Sequence, residues 1–373
     1  MIMSKEKIAV IGAGNLGQAM AGHFALKGHQ VSIQNRSHSK IDDINSRGGI
    51  LMKGVINGLA KMEVASYDFA DVVPGRDMIM VTVPASSHAD IARKIGKYLE
   101  PGQIVMLHPG HTFGAFEFHN TLLGMGIDTL ITIGEIQTSL ITCRLIGPAE
   151  VMASGIKTRL PISIFPANHG FDKAELLFKI YPTSVKAPNV LKTSLENLNA
   201  VVHPPVTLLN TGRIDSAVDF LYYWEGFTPS ISHVVQALDA ERLLLADALG
   251  VEVITLQGFF ASAYPTKGEE LWEKIRSNEA YRKITAPKSM KTRLILEDLP
   301  TGLVPYSSLG QEFGIPTPLC DAFIDVSNAM MMTDFRKEGR TLENLGLTGQ
   351  GADGIRYFAE TGKRIKRSAD YAD

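Results

Sequence analysis

Gly12-Ala13-Gly14-Asn15-Leu16-Gly17 restricts this chain more than any other stretch. An apolar run at 8–11 leads into it. A helical pattern over 15–27 follows, with Leu16, Met20 and Phe24 on one face. Gly28 supplies a stop, and 31–34 reads as a second strand. Strand, glycine-rich turn, helix and strand in about thirty residues form a βαβ unit. In that setting each glycine has its own reason. The first permits the tight turn, the second lets backbone approach a pyrophosphate, and the third lets helix and strand pack closely. The helix N-terminus offers unpaired N–H groups and a positive dipole end to the anion. The sequence therefore predicts a dinucleotide at Gly12, Gly14, Asn15, Leu16 and Gly17, against a glycine turn that binds nothing.

The second strand ends in Gln34-Asn35-Arg36-Ser37. A site for NAD usually places Asp or Glu there to hold the ribose 2′-hydroxyl. This chain offers neutral Asn35 and cationic Arg36, with Ser37 and Lys40 nearby. Arginine pairs with a 2′-phosphate that a carboxylate would repel. The expectation is NADP, with NAD still open, because an Arg36 stacked on adenine tolerates either. Carboxyl ends of parallel strands line the ligand crevice, so Val83 and Pro84 are expected cofactor contacts by position. His108 and His111 end the next strand and are second candidates for proton transfer.

Further strands are predicted at 62–65, 77–83, 103–107, 129–133 and 160–165, with helices at 87–98 and 113–125 between them. Beyond Pro182 strand signals nearly vanish, and helices are predicted at 189–210, 215–223, 229–249, 267–277 and 318–333. The expected fold class is α/β: an N-terminal Rossmann domain with a doubly wound, mostly parallel sheet over 1–185, then an all-helical substrate domain over 186–373. A length of 373 residues suits two domains. Hydrophobic residues at 45% and charged residues at 20% argue against disorder. A net charge of -2 gives no nucleic-acid footprint, and the cluster Lys363, Arg364, Lys366, Arg367 reads as a solvated tail. Cys143 and Cys320 make neither a disulfide framework nor a zinc pattern, and no metal-binding histidine spacing occurs. No apolar stretch approaches the ~18 residues of a membrane span. With no signal-peptide pattern at the start, the expected compartment is the cytoplasm. A homodimer is expected only from the general habit of oligomers.

The blocks Asn197-Leu198-Asn199-Ala200-Val201-Val202-His203-Pro204-Pro205 and Phe220-Leu221-Tyr222-Tyr223-Trp224-Glu225-Gly226-Phe227-Thr228-Pro229-Ser230, followed by Asp239-Ala240-Glu241-Arg242, resemble the octopine/nopaline dehydrogenase family of opine dehydrogenases. So do 293–305 and Gly314-Ile315-Pro316-Thr317-Pro318. The resemblance covers nearly the whole chain, with the blocks in the right order. It implies reductive condensation of an amino-acid amine with the carbonyl of a 2-oxo acid, using NADH or NADPH. It also implies His203 as the catalytic histidine, Asp298 as its carboxylate partner and Arg293 as the clamp for the oxo-acid carboxylate. Glu135 would orient the amino acid, and Asn199, in the His-Pro block, belongs to the substrate-binding set.

Chemistry gives a separate argument. Reducing an imine needs a hydride donor, a proton donor and a carboxylate clamp. Histidine suits proton transfer because its unperturbed pKa of ~6.5 lies near working pH. A carboxylate on the far ring nitrogen fixes the tautomer and favours imidazolium. Pro204 disfavours helical backbone at His203, so a helix break there is expected to present the ring. From spacing alone, the bland reading of His203 as a buried, satisfied histidine is preferred. Arg293 has a bland reading too, an i,i+4 ion pair with Glu297. Glu135 reads blandly as a solvated loop carboxylate, and for Tyr222, Tyr223 and Trp224 plain packing is preferred. Two rival functions are a 2-oxo-acid reductase of the ketopantoate reductase type, with Lys192 as proton donor, and a non-catalytic NADP-binding sensor.

Overall fold

The computed structural model describes residues 5–127, 131–170 and 175–365. Lys366 and Arg367 of the expected tail, and the start of the strand predicted at 129–133, lie outside the described residues. The chain forms two compact units. The first runs to Thr193 and takes in Ala359–Gly362; the second holds Ser194–Phe358 and continues from Lys363. The division thus falls at 193/194 rather than 185/186. Hydrogen bonds hold the extra residues in the first unit. The Thr193 hydroxyl donates to Glu135 Oε1 at 2.6 Å, Ser163 Oγ lies 2.8 Å from it, and Asn189 Nδ2 donates to Glu360 Oε1 at 2.8 Å.

The strands are β1 (Lys7–Ile11), β2 (Gln30–Gln34), β3 (Ile50–Gly54), β4 (Gly58–Ala60), β5 (Val64–Ser66), β6 (Met78–Val81), β7 (Ile104–Leu107), β8 (Thr132–Ile136), β9 (Ile141–Gly147), β10 (Glu150–Ile156), β11 (Pro161–Phe165) and β12 (Val185–Lys186). Among the described residues the main sheet has the order β12-β11-β8-β7-β6-β1-β2-β5. Neighbours from β5 through β8 are parallel, β11 is antiparallel to β8, and β12 is parallel to β11. The expected doubly wound sheet is present, and the strand predicted at 160–165 runs with β12 antiparallel to the rest of it. β6 and β7 are buried throughout, as strands covered on both faces must be. The chain winds one way from β1 to β2 and β5, then returns to β6 on the other side. The switch point between β1 and β6 is where such sheets bind ligands.

A second sheet, β4-β3-β10-β9, was not foreseen. The helix Asn15–Leu26 packs on it, and a Cβ at Gly22 would stand 2.4 Å from Met52 Sδ. Burial along β9 alternates strictly, the pattern of a strand with one face covered.

The second unit is helical among the described residues, apart from one antiparallel bridge, Leu221 to Thr285. Its longest helix, Pro229–Ala248, begins with Thr228 accepting from the Ile231 N–H, and proline stands in the first turn. Two expectations need correction. The helix predicted at 189–210 is two, Val190–Leu195 and Asn199–Leu208. The helix predicted at 215–223 is absent: Thr211–Asp215 is helical, and beyond it the chain pairs through Tyr222 N–H to Ile284 O and Ala286 N–H to Phe220 O. No helix of the described residues is long and apolar enough to cross a membrane, and no group of side chains among them could hold a metal.

Candidate active site

At the turn after β1, the three glycines answer to different neighbours. Gly12 has φ +102 and a Cβ there would meet Val83 Cγ1 at 2.9 Å. At Gly17 a Cβ would stand 1.7 Å from the Gly12 carbonyl oxygen. Gly14 has extended backbone, φ -75 and ψ -168, and nothing lies within 4 Å of its Cβ position. The protein itself gives no reason for glycine at 14, so the reason lies in what docks there. Open space at the start of the Asn15–Leu26 helix, with no side-chain cap on its N–H groups, fits the pyrophosphate of a dinucleotide. Thr82 fixes the switch point, its hydroxyl donating to the carbonyls of Ile11 at 2.9 Å and Gly12 at 3.1 Å. Val83 is half-buried and Pro84 exposed just beyond β6.

Two expected cofactor contacts have other duties. Asn35 Oδ1 accepts from the Ala13 N–H at 2.9 Å and its Nδ2 donates to Ser37 O at 3.2 Å, so Asn35 ties the glycine turn to the end of β2. Asn15 Oδ1 accepts from the Leu145 N–H at 2.9 Å, so its side chain ties the helix start to β9. Leu16 packs against the core. Arg36 and Ser37 are exposed beyond β2.

Glu135 requires a correction. It is 0% exposed, and its oxygens accept from the Ala115 N–H at 3.2 Å and the Thr193 hydroxyl at 2.6 Å. Gly110 makes room for it, since a Cβ there would meet its carboxyl group at 2.3 Å. The carboxylate braces the start of the helix Gly114–Gly124. The solvated-loop reading yields to that burial.

His108 is withdrawn as a proton donor for a similar reason. It is fully buried, its Nε2 accepts from the Leu140 N–H at 2.9 Å, and Nδ1 therefore donates to the Tyr181 oxygen at 2.9 Å. Burial, then the nearby Lys157 ammonium, push its pKa down to about 3. The unfolded chain binds a proton near pH 6.5 that the folded chain refuses until about 3. Stability must therefore fall as pH drops through that window. Chemical denaturation at pH 7 and pH 5 checks it, and equal unfolding free energies would count against a neutral buried His108.

In the second unit, His203 lies inside the helix Asn199–Leu208, which runs on through Pro204 and Pro205. The expected break does not occur. Two prolines forfeit helical hydrogen bonds at a cost of ~3 kcal/mol or more each. Tertiary burial offsets this, because 200–208 are all buried. Tyr222 adds a brace, its hydroxyl donating to His203 O at 3.0 Å and meeting Thr207 Oγ1 at 2.8 Å.

Asp298 begins a π-helical turn, Leu299–Leu303. At Gly302 a Cβ would stand 2.4 Å from Ala200 Cβ, so glycine lets this turn seat against the His203 helix. One turn from that contact on each side stand His203 and Asp298. His203 Nδ1 is 2.7 Å from Asp298 Oδ2, and Nε2 is 2.9 Å from the Tyr223 hydroxyl. The carboxylate accepts from Nδ1–H, which fixes the ring and leaves Nε2 to exchange protons. Both residues are buried, at 7% and 2% exposure. Burial pushes the Tyr223 phenol well above its usual range, while the Arg293 guanidinium is near enough to oppose that rise. Arg293 itself is exposed and stands 3.8 Å from Glu297, the ion pair foreseen from the i,i+4 spacing. Asn199, half-buried, opens the helix one turn before His203. The fold thus gathers His203, Asp298, Arg293 and Asn199, and adds Tyr223, for which packing had been preferred.

A glycine-turn Rossmann unit and a helical unit with a buried His–Asp pair define an NAD(P)-dependent oxidoreductase. The model of the NAD binding domain of 6-phosphogluconate dehydrogenase matches residues 7–114, and that of the NAD/NADP octopine/nopaline dehydrogenase alpha-helical domain matches 186–331. The chain is 41% identical over 361 residues to the opine dehydrogenase of Arthrobacter sp. (strain 1C), covering 96% of this chain and 100% of that one. It is 26% identical to Protein ocs of Agrobacterium vitis, over 94% of this chain and 98% of the relative. In fold it is similar to octopine dehydrogenase solved with NADH and L-arginine, with a TM-score of 0.80 at 18% identity, covering 97% of this chain and 100% of that one. Yersinopine dehydrogenase with NADP+ bound follows at a TM-score of 0.74 and 13% identity, over 95% and 100% of the two chains. The chain belongs to the octopine/nopaline dehydrogenase family and acts as an NAD(P)-dependent opine dehydrogenase.

Proposed function

We propose that this enzyme joins the amine of an amino acid to a pyruvate-like 2-oxo acid, with NADPH as the preferred reductant. The observation that carries the reading is the placement of His203 between Asp298 at 2.7 Å and Tyr223 at 2.9 Å, with the Arg293 charge beside them. When bound, the dinucleotide supplies the hydride. Arg293, exposed and cationic, holds the oxo-acid carboxylate, and Asn199 contacts substrate from one turn away. The His203 ring, held by Asp298, accepts a proton as the amine attacks and returns one as water departs from the carbinolamine. Preference for the phosphorylated cofactor is supported by Arg36, which is exposed beyond β2, where the chain carries Asn35 in place of an acidic residue. The relatives solved with NADH and with NADP+ accord with both forms being used in the family. Two free thiols, Cys143 and Cys320, accord with a reducing compartment.

The test is steady-state cofactor oxidation with 2-oxo acids crossed against an amino-acid panel, run with NADPH and with NADH. Oxidation that requires both an amine and an oxo acid, and runs faster with NADPH, is the expected result. Oxidation of equal rate with and without any amine would show a simple oxo-acid reductase.

A further inference from the structure

We propose that Tyr223 is a catalytic residue whose phenol carries protons between His203 and the substrate. The inference rests on the reaction proposed above and names a group that nothing in the sequence pattern assigned. Asp298 takes the Nδ1–H of His203, so the only ring atom left for exchange is Nε2. That atom is bonded to the Tyr223 hydroxyl at 2.9 Å. In the neutral ring Nε2 accepts, so the phenol donates its proton to the ring and keeps its oxygen lone pairs for an incoming donor. Adjacent Tyr222 is committed elsewhere, to His203 O and Thr207, and does not compete. The Tyr223 ring is fixed by its stack on Tyr281, with centroids 4.5 Å apart, and by an edge contact with Tyr222. A rigid phenol with one hydrogen bond aimed at the active imidazole is built to position a proton, not merely to fill space.

The steps balance. As the carbinolamine loses water, the imidazolium Nε2–H passes to the Tyr223 oxygen while the Tyr223 O–H proton passes to the departing hydroxyl. The C–O bond breaks, the nitrogen lone pair forms the iminium, and the positive charge moves from the ring to the substrate. Before attack the same two transfers run in reverse and take one proton from the incoming ammonium to the ring. Once the C–N bond forms, a second proton moves from the nitrogen to the former carbonyl oxygen, giving the neutral carbinolamine whose hydroxyl later leaves. Burial disfavours tyrosinate, so the two protons move together and no phenolate accumulates.

The test uses the full-length enzyme in single-turnover oxidation of NADPH with an amino acid and a 2-oxo acid. Tyr223→Phe keeps both ring contacts and is expected to slow the step by about 10²-fold or more, the scale of general acid–base catalysis, with KM values within about threefold. Replacing Tyr223 with mono-, di- and trifluorotyrosine is expected to change the rate progressively with phenol acidity at nearly constant shape. A structural role would not respond to acidity. A Tyr223→Phe rate within about threefold of the parent, or a rate indifferent to fluorination, overturns the relay while leaving the opine reaction standing. A parent enzyme that turns over no amine and oxo-acid pair overturns the proposed reaction and the relay together.

Discussion

His203→Ala is expected to lower kcat for amine-dependent cofactor oxidation by about 10²–10⁴-fold, the range for removing a general acid–base group. Affinity for the dinucleotide should change little, because the cofactor turn belongs to the first unit and His203 to the second. The size of the loss follows from the geometry. One ring nitrogen is bound to Asp298 at 2.7 Å, so the ring has one orientation and one atom with which to act. Asp298→Asn keeps the shape of the pair but no longer favours the imidazolium, and its kcat should fall by a factor of similar order. Stopped-flow measurement of NADPH oxidation and fluorescence titration of NADPH separate the two quantities. A His203→Ala enzyme that kept kcat within tenfold would remove the imidazole from the chemistry.

The second large effect separates two glycines of one motif. Gly14→Val is expected to raise the dissociation constant for NADPH by roughly 10- to 100-fold while leaving thermal stability near the parent's. Its Cβ would enter open space where no protein atom lies within 4 Å, and the clash falls on the ligand. A misfit of ~1–3 kcal/mol gives that factor, at about tenfold for each 1.4 kcal/mol. Gly17→Ala should do the opposite first. Its Cβ would collide with the Gly12 carbonyl oxygen at 1.7 Å, so backbone must move and the protein should lose ~1–3 kcal/mol of stability or more. Thermal melts with and without NADPH distinguish the two. Equal loss of stability in both variants would mean that Gly14 serves packing after all.

The residues legible in advance were those whose role is local. The glycine turn announces itself because its neighbours along the chain are its neighbours in space, and the βαβ shape followed. His203 and Asp298 were legible through the family's blocks, not through spacing, since 95 residues separate them. What escaped was decided by distant packing. Tyr223 looked like core because an aromatic residue on its own carries no sign of the imidazole it meets. Glu135 looked available because nothing nearby in sequence reveals the Thr193 hydroxyl that encloses it. Pro204 promised a break, and burial of the turn around it overruled the local preference. Strands β3, β4, β9 and β10 belong to a second sheet whose half-exposed faces carry no continuous apolar run like those of β6 and β7.

The assignment of Ala359–Gly362 to the first unit has an evolutionary corollary. The helical module is threaded into the nucleotide-binding one, leaving it at Thr193 and coming back 166 positions later. A gene that acquired a new helical module by a single crossover would discard the Glu360 carboxylate that Asn189 grips. Recombination between such enzymes must therefore cut more than once, and designed chimeras should respect the three crossings at 193/194, 358/359 and 362/363.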